Sequence, residues 1–196
     1  MTYCLAIKVK DGLVFASDSR TSAGVDYVSV YSKMHTFQLK EGRVFVLLSA
    51  GNLATSQAVV NALRRDLADA EAPASLNSVH FPFDAAHYIG EISVRVQNEH
   101  PEVMKKSHVN VEASFILGGQ IGLGEHEIYL IYPQGNYIST SDETPYLQIG
   151  ETKYGKPILD RIVTPQTSLE DAARCALVSE DSTMRSNISV GPPLEL

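Results

Sequence analysis

The sequence contains only two cysteines, Cys4 and Cys175, among its 196 residues. Two thiols so far apart build neither a disulfide framework nor a four-ligand zinc site. No apolar run nears the roughly 18 residues a membrane-crossing helix needs. The first residues lack a basic segment followed by an apolar one, so no secretory signal is read and the expected compartment is the cytoplasm. Basic residues are in the minority, 16 Lys and Arg against 23 Asp and Glu, for a formal net charge of -7. That balance disfavours general nucleic-acid binding, which depends on neutralising phosphates. His35, His80, His87, His100, His108 and His126 show no pair at ligand spacing, so no metal is expected. The Gly-rich stretch 118–124 lacks dinucleotide-binding spacing and reads as a loop joining two strands. Gly155-Lys156 is followed by Pro157 and not by the Ser or Thr of a phosphate loop. No organic cofactor is implied. Repeats, low-complexity tracts and linkers are missing, and residues 1–196 read as one domain.

What is present is ordinary globular material, 44% hydrophobic and 20% charged. Residues 3–10 place the large apolar Tyr3, Leu5, Ile7 and Val9 at alternate positions and end at Asp11-Gly12, a hairpin turn signal, with 13–18 as the return strand. A polar stretch, 19–32, follows. Residues 34–39 and the apolar run 44–48 form a second hairpin around Glu41-Gly42, and the run reads as a strand buried on both faces. Cys4, inside the first strand, reads as a small core residue. Val59, Leu63 and Leu67 recur at helical spacing within 52–70, as do Ala85, Ile89, Ile92 and Val96 after Pro82. Strand signals return at 113–117, 128–132 and 137–139. Two further helices are expected, at 153–162 and after Ser168-Leu169-Glu170-Asp171, whose spacing resembles a capping box. Residues 188–190 read as a last short strand. This block order, strands then two helices, twice over, predicts an α+β fold of two antiparallel sheets stacked face to face, with a helix pair on each outer side.

Thr2 is the candidate for chemistry. Once Met1 is removed, a single residue presents both a hydroxyl and a free α-amine, and the amine can take the proton from the attacking hydroxyl. Met-Thr starts are common, so the residues that follow decide its meaning. Taken singly, Asp18 is also a turn-capping carboxylate, Lys33 a solvated loop lysine, and Ser49-Ala50-Gly51 the end of a buried strand.

Together, Thr2, the run Ala16-Ser17-Asp18-Ser19-Arg20-Thr21-Ser22-Ala23-Gly24, Lys33 and Ser49-Ala50-Gly51 resemble the proteasome β-subunit, a member of the N-terminal nucleophile hydrolases. The start Met-Thr-Tyr-Cys, the stretch 150–161 and the stretch 181–187 point to the bacterial proteasome-homologue branch. The resemblance implies a four-layer αββα sandwich and threonine-type peptidase activity. It implies Thr2 as nucleophile and base, Lys33 as the nearby cation, Asp18 as the carboxylate anchoring it, and Gly51 N–H as oxyanion donor. Ser22 and Gly51 would pair with an extended peptide, Ser49 would line a specificity pocket, and Ser186 would support the amine. Implied partners are a peptide or unfolded-protein substrate, further copies of the chain in a ring or open spiral, and an unfoldase of unknown identity.

The match has departures. Glu151 stands where a serine commonly follows the glycine, and Thr183 stands three residues before Ser186 in place of an aspartate. The chain also ends soon after a strand is expected to begin, and reads as truncated at its C-terminus. Two other readings remain open: a silent scaffold subunit that uses the same fold to assemble, and an amidase acting on a small metabolite.

Overall fold

The computed structural model describes residues 1–22, 27–99 and 110–196; Ala23 and Gly24 of the quoted run, His100 and His108 lie outside these. Strands β1 (Tyr3–Val9) and β2 (Gly12–Asp18) form the first hairpin. Short strands β3 (Arg20–Ser22) and β4 (Val28–Val30) pair with each other. Strand β5 (Met34–Gln38) and β6 (Arg43–Gly51) form the next hairpin around a single 3-10 turn at Lys40–Gly42. Helices α1 (Leu53–Ala68) and α2 (Pro82–Gln97) follow. Then come β7 (Ala113–Ile121), β8 (Glu127–Ile131), β9 (Tyr137–Ser139) and β10 (Tyr146–Gly150). Helices α3 (Lys156–Ile162) and α4 (Leu169–Ser186) and the two-residue β11 (Leu194–Glu195) complete the order.

The strands make one antiparallel sheet in the order β10-β1-β2-β11 and a second in the order β5-β6-β7-β8-β9. Side-chain alternation explains the layering. On β1, Tyr3, Leu5, Ile7 and Val9 point one way and pack with Leu159, Ala172, Cys175 and Ala176 of α3 and α4. The other face carries the small Cys4 and Ala6, which meet Leu48, Ile116 and Ile128 of the facing sheet. On the far side, Phe45, Leu47, Phe115 and Leu117 meet Val59, Leu63, Ile89 and Ile92 of α1 and α2. The result is the αββα sandwich expected. Two helix starts are capped by side chains, the one at Ser168 as its spacing predicts. Asn52 caps α1 by accepting Thr55 N–H at 3.1 Å, and Ser168 caps α4 by accepting Asp171 N–H at 3.1 Å. Among the described residues no helix is long and apolar enough to cross a membrane.

Several local expectations need correction. The stretch 19–32, read from the sequence only as polar, carries the paired strands β3 and β4. The run 118–124 is a loop only at its end, because β7 continues to Ile121. Gly118 lies against Phe15 and Ile128, and Gly119 against the Val44 carbonyl and Phe45, so these glycines mark crowding inside a strand. Val44 is 41% exposed, so the run 44–48 is not buried throughout. The strand expected at 188–190 is a turn: Asn187 Oδ1 accepts Ser189 N–H at 3.0 Å and its carbonyl accepts Val190 N–H at 3.0 Å. The closing strand lies later, at Leu194–Glu195. Helix α3 starts at Lys156 and not at 153, and β10 was not read from the sequence at all.

Close approach sets a limit on α2. A Cβ on Gly90 would run into the backbone carbonyl of Gly135. Gly90→Ala is expected to lower the unfolding free energy by about 1–3 kcal/mol through overpacking, although alanine is the better helix former. Urea denaturation of the two proteins checks this; a gain in stability would contradict it.

Candidate active site

Thr2 is held where β1 begins. Its carbonyl accepts the backbone N–H of Glu151 at 2.7 Å, and Tyr3 pairs with Gly150 across the β1–β10 ladder. Gly150 adopts φ +86°, and any Cβ there would collide with the Thr2 carbonyl. Glycine therefore meets both a conformational and a spatial demand at the edge of the site.

On the other side stands Asp18, the last residue of β2 and 0% exposed. Its Oδ1 accepts Tyr3 N–H at 3.0 Å and Lys33 Nζ at 2.6 Å, while Oδ2 accepts Gly191 N–H at 3.1 Å. Lys33 is 6% exposed, and its ammonium also donates to the Arg20 carbonyl at 2.7 Å. Neither residue is the turn cap or solvated lysine that each could be in isolation. Such a pair is costly to desolvate, and removing one partner typically costs about 3–5 kcal/mol. The hydrogen bonds to Tyr3, Arg20 and Gly191 satisfy what the pair leaves over.

Lys33 also fixes the neighbouring strand. Its carbonyl accepts Ser49 N–H at 3.0 Å, which lays the end of β6 beside it. A cavity of about 360 Å³ results, lined by Thr2, Ser22, Lys33, Ser49, Gly51 and Gly150 among others. The structure thus gathers Thr2, Lys33, Ser22, Ser49 and Gly51 at one opening, with Asp18 directly behind.

Ser186 is the exception. It is exposed in the last turn of α4 and is not among the residues lining the cavity. Thr183 is buried and donates to the Ser179 carbonyl at 2.9 Å, within its own helix. The Glu151 carboxylate turns to Asn187 Nδ2, at 2.8 Å, and Lys153 Nζ, at 3.6 Å; only its backbone N–H serves Thr2. Among the described residues no group of three or more His, Cys, Asp or Glu is placed to hold a metal ion.

Sequence reading missed Glu180. It is 0% exposed and neither carboxyl oxygen has a hydrogen-bond partner among the described residues. Burial and the charge of Asp18 push its pKa up from an ordinary 4.5 to about 9, against an opposing pull from Lys33. A signal existed: Ala172, Ala176, Glu180 and Thr183 fall on one helical stripe, the face α4 buries. In the unfolded chain Glu180 ionises above about 4.5, whereas the folded protein keeps its proton until about 9. The folded state therefore holds the extra proton across that window, and stability falls there as pH rises, by about 1.4 kcal/mol per pH unit. Glu180→Gln is expected to be more stable than the parent at pH 8, with the difference closing towards pH 4. Urea unfolding across that range measures it, and parallel pH profiles would contradict it.

Comparison with known proteins agrees with this architecture. The family model described as proteasome subunit matches residues 2–190. No curated protein matches the chain. Among solved structures, Anbu (ancestral beta-subunit) from Yersinia bercovieri is 47% identical, with a TM-score of 0.91 over 98% of this chain and 79% of that one. The helical assembly of the Anbu complex from Pseudomonas aeruginosa is 48% identical, with a TM-score of 0.87 and the same coverage. Anbu from Hyphomicrobium sp. strain MC1 is 43% identical, with a TM-score of 0.84 over 98% of this chain and 79% of that one. With a family model spanning almost the whole sequence and Anbu structures this similar, the chain belongs to the proteasome-subunit family.

Proposed function

We propose that the chain is a threonine-type peptidase, cleaving peptide or amide bonds with Thr2 once Met1 has been removed. One observation carries this reading. A single buried oxygen, Asp18 Oδ1, accepts both the N–H next to Thr2 and the ammonium of Lys33, so nucleophile and cation are tied to the same atom.

With Met1 attached, the Thr2 nitrogen is an amide and takes no proton. As a free amine it has a reference pKa of about 7.7–8.0. The Lys33 ammonium disfavours protonation of that amine and favours the alkoxide. Thr2 Oγ attacks the substrate carbonyl carbon, and its proton passes to the amine, directly or through a water. Gly51 N–H donates to the developing oxyanion, a role in which one hydrogen bond is worth about 3–4 kcal/mol. The C–N bond then breaks, the departing amine takes the proton, and a threonyl ester remains. Water hydrolyses the ester and restores Thr2. Backbone groups of Ser22 and Gly51 pair with an extended substrate, and Ser49 lines the pocket for the residue before the cleaved bond. Ser186, exposed on α4, has no part in this scheme.

The proposed working form is a cytoplasmic homo-oligomer, ring or open spiral, acting on peptides or unfolded protein that an unfoldase could deliver. The helical assembly described for the Pseudomonas aeruginosa Anbu complex supports the spiral. A second reading, a silent scaffold subunit, draws on two observations: Thr183 replaces an aspartate and turns to its own helix, and Ser186 points away.

Mass spectrometry of the mature N-terminus, with labelling by an electrophile selective for N-terminal threonine, separates the two. Loss of Met1 with one label per chain supports the peptidase; quantitative retention of Met1 without labelling supports the scaffold. Thr2→Ala is expected to lower hydrolysis by at least about a thousandfold and to leave assembly unchanged in size-exclusion chromatography. Residual activity at the parent level would place the chemistry elsewhere.

A further inference from the structure

Lys33 lies in the connection between β4 and β5, outside regular structure, yet its ammonium must meet Asp18 across from the other sheet. Two of its three polar groups are held by residues already described: its carbonyl by Ser49 N–H, its ammonium by Asp18 and the Arg20 carbonyl. The third, its backbone N–H, donates at 3.2 Å to Oε2 of Glu195. The same carboxylate accepts Ser17 Oγ at 3.2 Å through Oε2, and the single Ser32 hydroxyl proton is shared between its Oε1, at 2.8 Å, and the Met34 carbonyl, at 2.8 Å. Glu195 sits on β11, opposite Ser17 on β2, one position from the Leu194–Asp18 pair. One side chain therefore clamps the residue before Asp18, the residue before Lys33, and Lys33 itself.

We infer that Glu195 is a positioning residue for the Lys33–Asp18 pair: it hooks the Ser32–Lys33 connection to the edge of the β1–β2 sheet so that the ammonium reaches Asp18. The chemistry suits the task. An ionised carboxylate offers acceptors on both oxygens, and all three partners are donors. Charge-assisted bonds of this kind are the stronger ones. Glutamine retains one such oxygen, and alanine removes the clamp. Glu195 does not line the cavity, so its loss should not change how substrate is bound.

This inference rests on the peptidase reading for its kinetic consequence, and its test separates the two. In the full-length protein with Thr2 exposed, Glu195→Ala is expected to lower kcat by about ten- to a hundredfold through misplacement of the cation, with KM within twofold of the parent. Glu195→Gln should fall between the two, and Ser32→Ala should show part of the loss. Nitrogen-15 NMR of the Lys33 side chain provides a readout that needs no turnover. A slowly exchanging ammonium is expected in the parent, with faster exchange in Glu195→Ala, at thermal midpoints within a few degrees of each other. A parent without hydrolysis would sink the peptidase reading, and the NMR comparison alone would then decide the positioning role. An unchanged Lys33 signal in Glu195→Ala, or a loss confined to KM, would overturn the role of Glu195. Should Glu195→Ala fail to fold, Glu195→Gln carries the same two measurements.

Discussion

The interaction on which the structure turns is the contact between Asp18 and Lys33, 2.6 Å apart and nearly closed to solvent. In water such a pair is weak. Away from water each partner becomes indispensable to the other, because a lone buried charge is far more costly than the pair. Asp18 uses the remainder of its hydrogen-bonding capacity to hold the backbone at Tyr3 and at Gly191. The start of the chain, a connection between sheets and a segment near its end are thereby joined at one carboxylate.

The sandwich supplies the surroundings this joint needs. Small residues, Cys4 and Ala6, on the inner face of β1 let the two sheets stack closely, so that the ends of β1 and β6 lie side by side. Alanines and Ser179 on α4 allow a similarly close approach over β1 and β2, where the Tyr3 hydroxyl meets Ser179 Oγ at 2.6 Å. Closeness has a consequence at Glu180, whose carboxyl is pressed into this layer without a hydrogen-bond partner among the described residues and stays protonated at neutral pH. Placing two ionised carboxylates around one lysine would upset the balance at Asp18; a neutral acid avoids that.

The acidic residues of the second half illustrate how identical side chains acquire different tasks. Glu151 turns its carboxylate to Asn187 and lends only its backbone to Thr2. Glu180 is buried and neutral, and Glu195 accepts three donors at the rim of the sheet. The three differ in which groups the fold brings within reach, and their burial and hydrogen bonding follow from that.

Much of the fold could be read directly from the chain. Alternation over β1 and β2, helical spacing in α1 and α2, and the cap at Ser168 are local, and each signal lies within a few residues of the element it specifies. The quoted motifs likewise marked Thr2, Asp18, Lys33 and Gly51 before any geometry was known. What escaped depends on distant partners. Strand β10 exists because it pairs with β1, more than 130 residues away in sequence. The glycines at 118 and 119 are strand residues because of what faces them, and the final strand forms where β2 offers an edge. Ser186 has a suitable identity and faces solvent, while Glu180 and Glu195 gain meaning only from the charges and donors around them. Residue type and spacing thus determined the layers and singled out Thr2 as the candidate nucleophile; packing across the sequence decided which carboxylates are buried, paired or neutral, because solvation and hydrogen bonding are properties of a place and not of a residue.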